Sequence, residues 1–185
     1  MKRTSTVLLL ILALAAGTAS AADHLMISGG VSIMQPADSA YRDIYGSGVV
    51  YPEGALGIRL YRDLYLMGGV GVMTKKGTTP ELGFAAKSTQ TFISAGLGYL
   101  ANISGGLKWK IEAGIADISY KEQAMDLSVS GSSLGWQVET GLMVMMGKTV
   151  FAGVAMGYIS ASDTVEDVKI KLGGFRASLS LGFRI

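Results

Sequence analysis

The residues that could perform chemistry in this chain are few. Its 185 residues include one histidine, His24, and no cysteine, so the chain has no thiol nucleophile and no cysteine-ligated metal site. Hydroxyl nucleophiles cluster in one stretch, at Ser128, Ser130, Ser132 and Ser133. A serine nucleophile needs a neighbouring base to take its proton, and these serines have none. We therefore expect no Ser/His/acid catalytic site, no metal site and no cofactor.

Two carboxylates, Glu112 and Glu139, offer a second kind of chemistry. If they lie on the two strands of one hairpin, they could come close enough to act as general acid and base, with one pKa raised. Alternatively, they could pair with Lys110, Arg176 and Arg59, because buried charges are costly unless they are paired. The elements that carry the two side chains decide between these interpretations.

The composition and the first residues of the chain limit which kinds of element can carry these side chains. The chain is 49% apolar and 16% charged, which excludes a disordered protein. Lys2 and Arg3 precede an apolar run at 7–16 and small residues that end at Ala21, the layout of a signal peptide. The run is shorter than the roughly 20 residues of a spanning helix. We predict a cleaved signal peptide at 1–21 and one domain at 22–185.

The net charge of that domain argues against a nucleic-acid partner. Two of the 16 basic residues, Lys2 and Arg3, lie in the leader, which leaves 14 to balance the 14 acidic residues. A nucleic-acid-binding domain would present a basic face.

Apolar residues in the domain recur at every second position. The last segment has one apolar face, formed by Phe175, Ala177, Leu179, Leu181, Phe183 and Ile185. Its other face is small or polar, formed by Gly174, Arg176, Ser178, Ser180, Gly182 and Arg184. Only helices and closed barrels satisfy their backbone in lipid, and no segment reads as a helical span. The pattern predicts an all-β fold, a closed transmembrane antiparallel up-and-down β-barrel.

The strand face that carries the charged residues must line the lumen of such a barrel. A basic side chain that faces lipid at mid-membrane costs about 2–4 kcal/mol. The inward charges are then Arg59, Lys108, Lys110, Glu112, Glu139, Arg176 and Arg184. We expect them to form a polar network, because a closed tube gives a substrate poor access to the carboxylate pair. Methionines also face inward, at Met26, Met67, Met73, Met143 and Met145. They could fill gaps or line a cavity for a hydrophobic ligand.

The connections alternate between long and short. We predict long loops at 35–52, 74–88, 121–130 and 160–167, with short turns at 62–63, 101–105 and 146–148. This gives about eight strands, with both termini periplasmic and the long loops outside. In segment 150–159, which is apolar on both faces, we place Val154, Met156 and Tyr158 outward.

The mature chain resembles the small outer-membrane β-barrel proteins of Gram-negative bacteria, the OmpA, OmpX and opacity-protein group. The resemblance rests on the signal peptide, the alternating segments and the C-terminal strand 173–185. Family members commonly end in an aromatic residue that the barrel-assembly machinery reads; this chain has Phe183 and ends in Ile185, our expected assembly signal. The resemblance implies a monomer in the outer membrane. Its implied partners are lipid, lipopolysaccharide, and the secretion and assembly machinery.

Aromatic residues at the strand ends predict two membrane-interface girdles. Tyr99, Trp109 and Phe183 fall near the periplasmic ends and Tyr158 near an outer end. Trp136 lies nearer mid-barrel and no girdle accounts for it.

The predicted role is structural or surface-interacting and non-catalytic. Barrel enzymes that remodel lipid A use histidine near the outer leaflet, whereas His24 precedes the first strand. Three alternatives stay open: a barrel that binds lipid or a small hydrophobic ligand, a narrow channel, and a soluble secreted lipocalin-like barrel with the two faces reversed.

Overall fold

The computed structural model describes residues 24–80, 83–125, 127–165 and 167–185; the predicted signal peptide lies outside them. Eight antiparallel strands close one barrel in chain order, with β8 paired to β1. The strands are β1 (Leu25–Pro36), β2 (Val49–Tyr61), β3 (Leu64–Thr78), β4 (Ala85–Ser104), β5 (Leu107–Ala124), β6 (Leu127–Met146), β7 (Val150–Val165) and β8 (Val168–Arg184). One helix, α1 (Ser39–Tyr45), connects β1 to β2. Among the described residues no helix is long and apolar enough to cross a membrane.

We name the two ends of the barrel by what lies there. The terminal end holds the start of β1, the end of β8 and the turns at 62–63, 105–106 and 147–149. The mouth holds α1 and the other three connections.

The two faces of the wall are those that the alternation predicts. Leu179 and Leu181 are 59% and 62% exposed on the outer surface, whereas Gly182, between Leu181 and Phe183, is buried inside. The ambiguous segment also has the predicted orientation, because Val154 and Met156 are exposed. A soluble lipocalin-like barrel would need the apolar stripe inside, so this alternative is wrong.

Three of the four predicted long loops are mostly strand. Pairing of β5 with β6 continues to Ala124 and Leu127, and pairing of β7 with β8 continues to Val165 and Val168. Near the mouth the pattern is reversed: the outward positions are polar and the inward ones, such as Ile118, are apolar. A search for an outward apolar stripe therefore ends the strands too early.

We call the outward residues of this extension the polar collar. It includes the exposed residues Thr74, Lys76, Lys87, Ser119, Lys121, Ser130, Ser162 and Lys171. The collar lifts the mouth above the apolar part of the wall.

The first predicted loop contains α1, which packs into the mouth. Asp38 caps the helix by accepting a hydrogen bond from the Tyr41 amide at 3.2 Å, and Gly46 ends it with φ of 83°. The rings of Tyr41 and Tyr45 are buried with centroids 4.5 Å apart. A Cβ on Gly77 would overlap the Ile44 carbonyl, so the close approach of α1 to β3 requires glycine there.

Two hydrophobic clusters fill the lumen. The terminal cluster consists of Met26, Tyr65, Met67, Leu100, Met143 and Phe151. The mouth cluster consists of Met34, Tyr41, Tyr45, Val49, Tyr51, Met73, Ala86, Phe92, Ala116, Ile118, Tyr120, Ile159, Ala161 and Leu172. The lumen methionines thus fill gaps within packed clusters, the role expected of a flexible thioether.

Candidate functional site

A belt of charged side chains crosses the lumen between the two clusters. Lys110 and Glu112 occupy successive inward positions of β5, and Glu112 lies directly opposite Glu139 of β6. Arg176 of β8 shares a row with Glu139, and only Gly157 lies between them. Because Gly157 has no side chain, the guanidinium of Arg176 reaches across β7.

Ion pairs join the belt across four strands. Lys110 pairs with Glu139 and, at 3.4 Å, with Glu112. Arg176 Nη2 lies 2.6 Å from Glu139 Oε2, and its Nη1 lies 3.7 Å from Glu53 Oε2 of β2. All five side chains are largely buried. Such pairing is what makes buried charge tolerable.

Two neutral side chains complete the belt. Ser32 Oγ donates a hydrogen bond to Glu53 Oε2 at 2.6 Å, and Gln137 Nε2 donates to Glu112 Oε1 at 2.9 Å. The cavity beside the belt is about 80 Å³, well below the roughly 300–1,000 Å³ of usual ligand sites. The carboxylate pair therefore lies beside a cavity that is small for a substrate.

The structure brings together four of the seven predicted network residues. Arg59 lies at the terminal end, where a register shift follows it and its Nε donates to the Arg62 carbonyl. Lys108 Nζ donates to Asn102 Oδ1 at 2.6 Å across the β4–β5 turn. Arg184 lies opposite Met26 at the end of β8. Their strands place all three toward the terminal end, with Lys108 one inward position from Lys110 on β5.

Sequence reasoning missed Glu53, Ser32 and Gln137. Glu53 is missed because Pro52 predicts the edge of a loop. In the structure Pro52 lies inside β2 and pairs with β1. Pairing of β2 with β3 begins one residue later, at Glu53, so at Pro52 the only neighbouring strand is β1. Period-two counting back from Gly57 would have placed Glu53 inward.

The predicted interface aromatics all lie on the outer surface. Tyr99, Trp109 and Phe183 are exposed at the terminal end. Trp109 Nε1 donates to Thr140 Oγ1 at 2.8 Å, and that hydroxyl donates to the Lys110 carbonyl, so an outward hydroxyl is satisfied within the wall. At the other end Tyr158 packs on Trp136 with centroids 5.8 Å apart.

The length of β6 accounts for Trp136. It lies ten positions before Met146, the last residue of β6. For a tilted strand that distance is about 25 Å along the barrel axis, roughly the height of the apolar band of such barrels. Trp136 is therefore midway along β6, as its place in the sequence predicts, and at the mouth-side end of a band of that height.

The ends of the described chain are paired to each other. Leu25 and Ile185 exchange two backbone hydrogen bonds of 2.8 Å. The expected assembly signal, Phe183 and Ile185, lies on the exposed outer face beside this seam.

The serines and the histidine lie at opposite ends. Ser128–Ser133 belongs to the mouth end of β6, where Ser133 Oγ donates to the Ser162 carbonyl at 2.6 Å. His24 precedes β1 at the terminal end. The structure therefore does not bring them together.

An open cleft of about 680 Å³ lies in the mouth, between α1 and the extensions of β5, β7 and β8. Apolar side chains dominate its wall, among them Ile44, Ala86, Val165, Ile170 and Leu172. Sequence reasoning did not predict it, because its residues fell in presumed loops.

Acidic side chains border the mouth. Glu122 Oε2 accepts a hydrogen bond from the Tyr45 hydroxyl at 3.4 Å, and Asp163 accepts one from Tyr120 at 2.8 Å. Burial raises the pKa of Glu122, and the charge of Asp38 raises it further. Burial, with the hydrogen bond to Asp163, raises the pKa of Tyr120 to about 12.

Comparison with known proteins agrees with this architecture. Neisserial surface protein A superposes with a TM-score of 0.64 at 17% identity, over 90% of this chain and 99% of that one. OprG from Pseudomonas aeruginosa gives a TM-score of 0.70 at 14% identity, over 89% and 96%. Ail of Yersinia pestis, solved with the heparin analogue sucrose octasulfate, gives 0.59 at 14% identity, over 88% and 98%. At these identities the likeness shows the fold alone.

The sequence itself matches a family model over nearly its whole length. No curated protein is similar enough in sequence to count as a relative. The model of the outer membrane protein beta-barrel domain, however, matches residues 4–183. The chain therefore belongs to the outer membrane protein beta-barrel family, whose members are proteins of the Gram-negative outer membrane.

Proposed function

We propose that this protein is a non-catalytic outer-membrane barrel that acts through its outer surface and its mouth, not by conducting solutes. One observation carries the proposal: the charged belt blocks the lumen between two packed clusters, while the mouth stays open. An eight-stranded barrel has an interior just wide enough for side chains to fill. This argues against the narrow channel.

Planar bilayer recording tests the closed lumen. We expect no unitary conductance from the purified protein inserted into a bilayer. Steady ohmic conductance that scales with the number of inserted molecules would contradict the proposal. A second preparation carrying Arg59→Ala, which alters a charge away from the belt, should be equally silent.

We propose that the termini are periplasmic and that the mouth faces outward. The supporting feature is that the mouth carries the helix and the polar collar, whereas the connections between described strands at the terminal end are tight turns. The chain has no cysteine, so single-cysteine variants are unambiguous. Ser47→Cys should react with a membrane-impermeant maleimide on intact cells, and Lys148→Cys should react only after lysis. The reverse pattern would overturn this orientation.

We propose that the polar collar contacts the acidic headgroups of lipopolysaccharide. Lys76 and Lys87 lie directly opposite each other on β3 and β4, both exposed. Like charges at directly opposed positions destabilise a sheet, and a bound anion relieves that repulsion. The double variant Lys76→Gln/Lys87→Gln should bind lipopolysaccharide more weakly than the wild type. Lys148→Gln at the terminal end is the matched control, and an equal loss in both would contradict the assignment.

We propose that Phe183 and Ile185 serve as the assembly signal of a monomeric barrel. Their exposed side chains lie beside the β1–β8 seam that closes the barrel. Phe183→Ala should slow the appearance of heat-modifiable barrel in cells, whereas Phe175→Ala, on the same strand and face, should not.

A second candidate function is the binding of a small ligand in the mouth cleft. Its volume of about 680 Å³ lies within the usual range of ligand sites. Soluble n-hexanol should bind the protein in lipid nanodiscs, detected by saturation-transfer NMR. Ala124→Phe, which fills the cleft, should abolish that signal; a signal that persists would place the alcohol elsewhere.

A further inference from the structure

We propose that the mouth cleft selects a cationic amphiphile, with a protonated amine against Glu122 and its alkyl chain along the apolar wall. The inference rests on the proposed ligand-binding role of the mouth and deepens it. It follows from two features of the cleft, namely its apolar wall and the carboxylate of Glu122 at its side.

The wall fits an alkyl chain. It is lined by Ile44 of α1, Val165 of β7, and Ile170 and Leu172 of β8, all part of or packed against the mouth cluster. Burial of apolar area against such a wall contributes about 25 cal/mol per Å². The wall alone favours any hydrocarbon chain, so the charge must determine the headgroup.

Glu122 supplies the charge. Its carboxylate is half-buried at the side of the cleft and accepts a hydrogen bond from the Tyr45 hydroxyl at 3.4 Å. Within the described residues no lysine or arginine forms an ion pair with it. A half-buried carboxylate without a cation is unfavourable, so a ligand that carries one gains affinity.

The neighbouring acids are already engaged. Asp38 accepts hydrogen bonds from the amides of Tyr41 and Lys171, and Asp163 accepts one from Tyr120. Both nevertheless add negative potential at the mouth.

The nearby basic groups do not pair with Glu122. Arg42 donates to the carbonyls of Pro36 and Ala37. Lys75 donates to the Gly48 carbonyl at 3.4 Å, and Lys169 and Lys171 border the cleft from exposed positions of β8. Within the described part of the chain none of these four groups forms an ion pair with Glu122, so its carboxylate disfavours a carboxylate or phosphate headgroup beside it.

Glu122 also has a buried hydroxyl group close to it. Ser88 lies directly opposite Glu122 in the β4–β5 ladder, and its hydroxyl lies near both Glu122 and the Tyr41 hydroxyl. The carboxylate is thus held at a fixed place beside the cleft. A primary ammonium has three N–H donors and no acceptor, so it can donate hydrogen bonds to this carboxylate, which a quaternary ammonium cannot.

Binding of three hexyl probes tests the selection. Protein in lipid nanodiscs is titrated at pH 7 with n-hexylamine, n-hexanol and hexanoate, with empty nanodiscs as the blank. We expect hexylamine to bind most tightly and hexanoate least. Glu122→Gln should weaken hexylamine by about tenfold and leave hexanol within twofold. Asp43→Asn, which removes one exposed acid of α1 outside the cleft, is the matched control and should bind hexylamine like the wild type.

The outcomes separate the two proposals. The proposed selection of a cationic headgroup is wrong if hexanol binds and hexylamine binds no better. It is also wrong if Glu122→Gln binds hexanol and hexylamine with the affinities of the wild type. In both cases the ligand-binding cleft itself is still supported. If none of the three probes binds the wild type, the ligand-binding role itself fails. Preferential binding of hexanoate would overturn the assigned charge.

Discussion

At the scale of single residues, Arg176 ties opposite sides of the lumen together. Its guanidinium contacts Glu139 on β6 and Glu53 on β2, and Ser32 on β1 supports Glu53. Removal of one member of a buried network leaves its partners as uncompensated charges, which is more damaging than the loss of the attraction itself.

Arg176→Ala should therefore destabilise the barrel by about 3–5 kcal/mol. The measurement is the free energy of unfolding in urea, followed by heat-modifiable migration on a gel. Arg59→Ala is the control, because its one hydrogen bond at the terminal end is worth about 1 kcal/mol. If the two substitutions lower the free energy of unfolding equally, the ion pairs of the belt contribute no more stability than an exposed hydrogen bond does.

Glu122 predicts a pH dependence of stability. Burial raises its pKa in the folded barrel, so the folded state holds the proton more tightly than the unfolded chain does. The associated stability is fully present below the unfolded pKa, about 4.3, and is lost as pH rises through the folded pKa. Glu122→Gln removes this loss, so the variant should gain stability relative to the wild type as pH rises through this window. If the unfolding free energies of the wild type and Glu122→Gln change with pH in parallel, Glu122 does not cause the predicted pH dependence.

The sequence predicts the core of the belt but not its extent. The opposition of Glu112 and Glu139 follows from period two on one hairpin, and the structure has it. The sequence could not show that Arg176 reaches Glu139, because this depends on the register of β7, where Gly157 leaves the gap. Period-two alternation predicts an inward Arg59 within the network. A register shift between Arg59 and Tyr61, close to the turn, alters the strand at this point.

At the scale of elements, α1 is held by close backbone contact with β3. Gly77→Ala should displace the helix, because the new Cβ overlaps the Ile44 carbonyl. Hydrogen exchange should then quicken at the Arg42 and Gly46 amides, which bond within the helix and its cap, while the strand amides stay protected.

Gly68→Ala on the same strand is the matched substitution. Its Cβ would meet the Ser94 carbonyl at 3.6 Å, an ordinary contact, and it should leave α1 unchanged. Slow exchange in α1 after Gly77→Ala would mean that the helix is held chiefly by its buried tyrosines.

Strand number and orientation were predictable from sequence, whereas strand length was not. Apolar residues at alternate positions identify a wall that touches acyl chains, as Leu179, Leu181 and Phe183 do in β8. Beyond the membrane the same strands carry Ser, Thr and Lys outside, and composition alone cannot separate such strands from loops. The helix was hidden for a similar reason: seven residues are too few for a periodic signal.

At the scale of the whole molecule, the barrel is apolar outside and closed inside, with a polar extension that carries the mouth. The two tryptophans, Trp109 and Trp136, are both on the outer surface, near opposite ends of the apolar wall. They are native probes of this arrangement, because we expect each of them to lie at a different bilayer interface.

Quenching of the two tryptophans by brominated lipids tests the central claim most directly. The single-tryptophan variants Trp136→Phe and Trp109→Phe are reconstituted in vesicles whose lipids carry bromine at graded depths along the acyl chain. We predict that both remaining tryptophans are quenched, most strongly by bromine nearest the headgroup, and that aqueous iodide quenches them weakly. Strong quenching by iodide with none by brominated lipid would contradict an outward apolar wall in contact with the membrane.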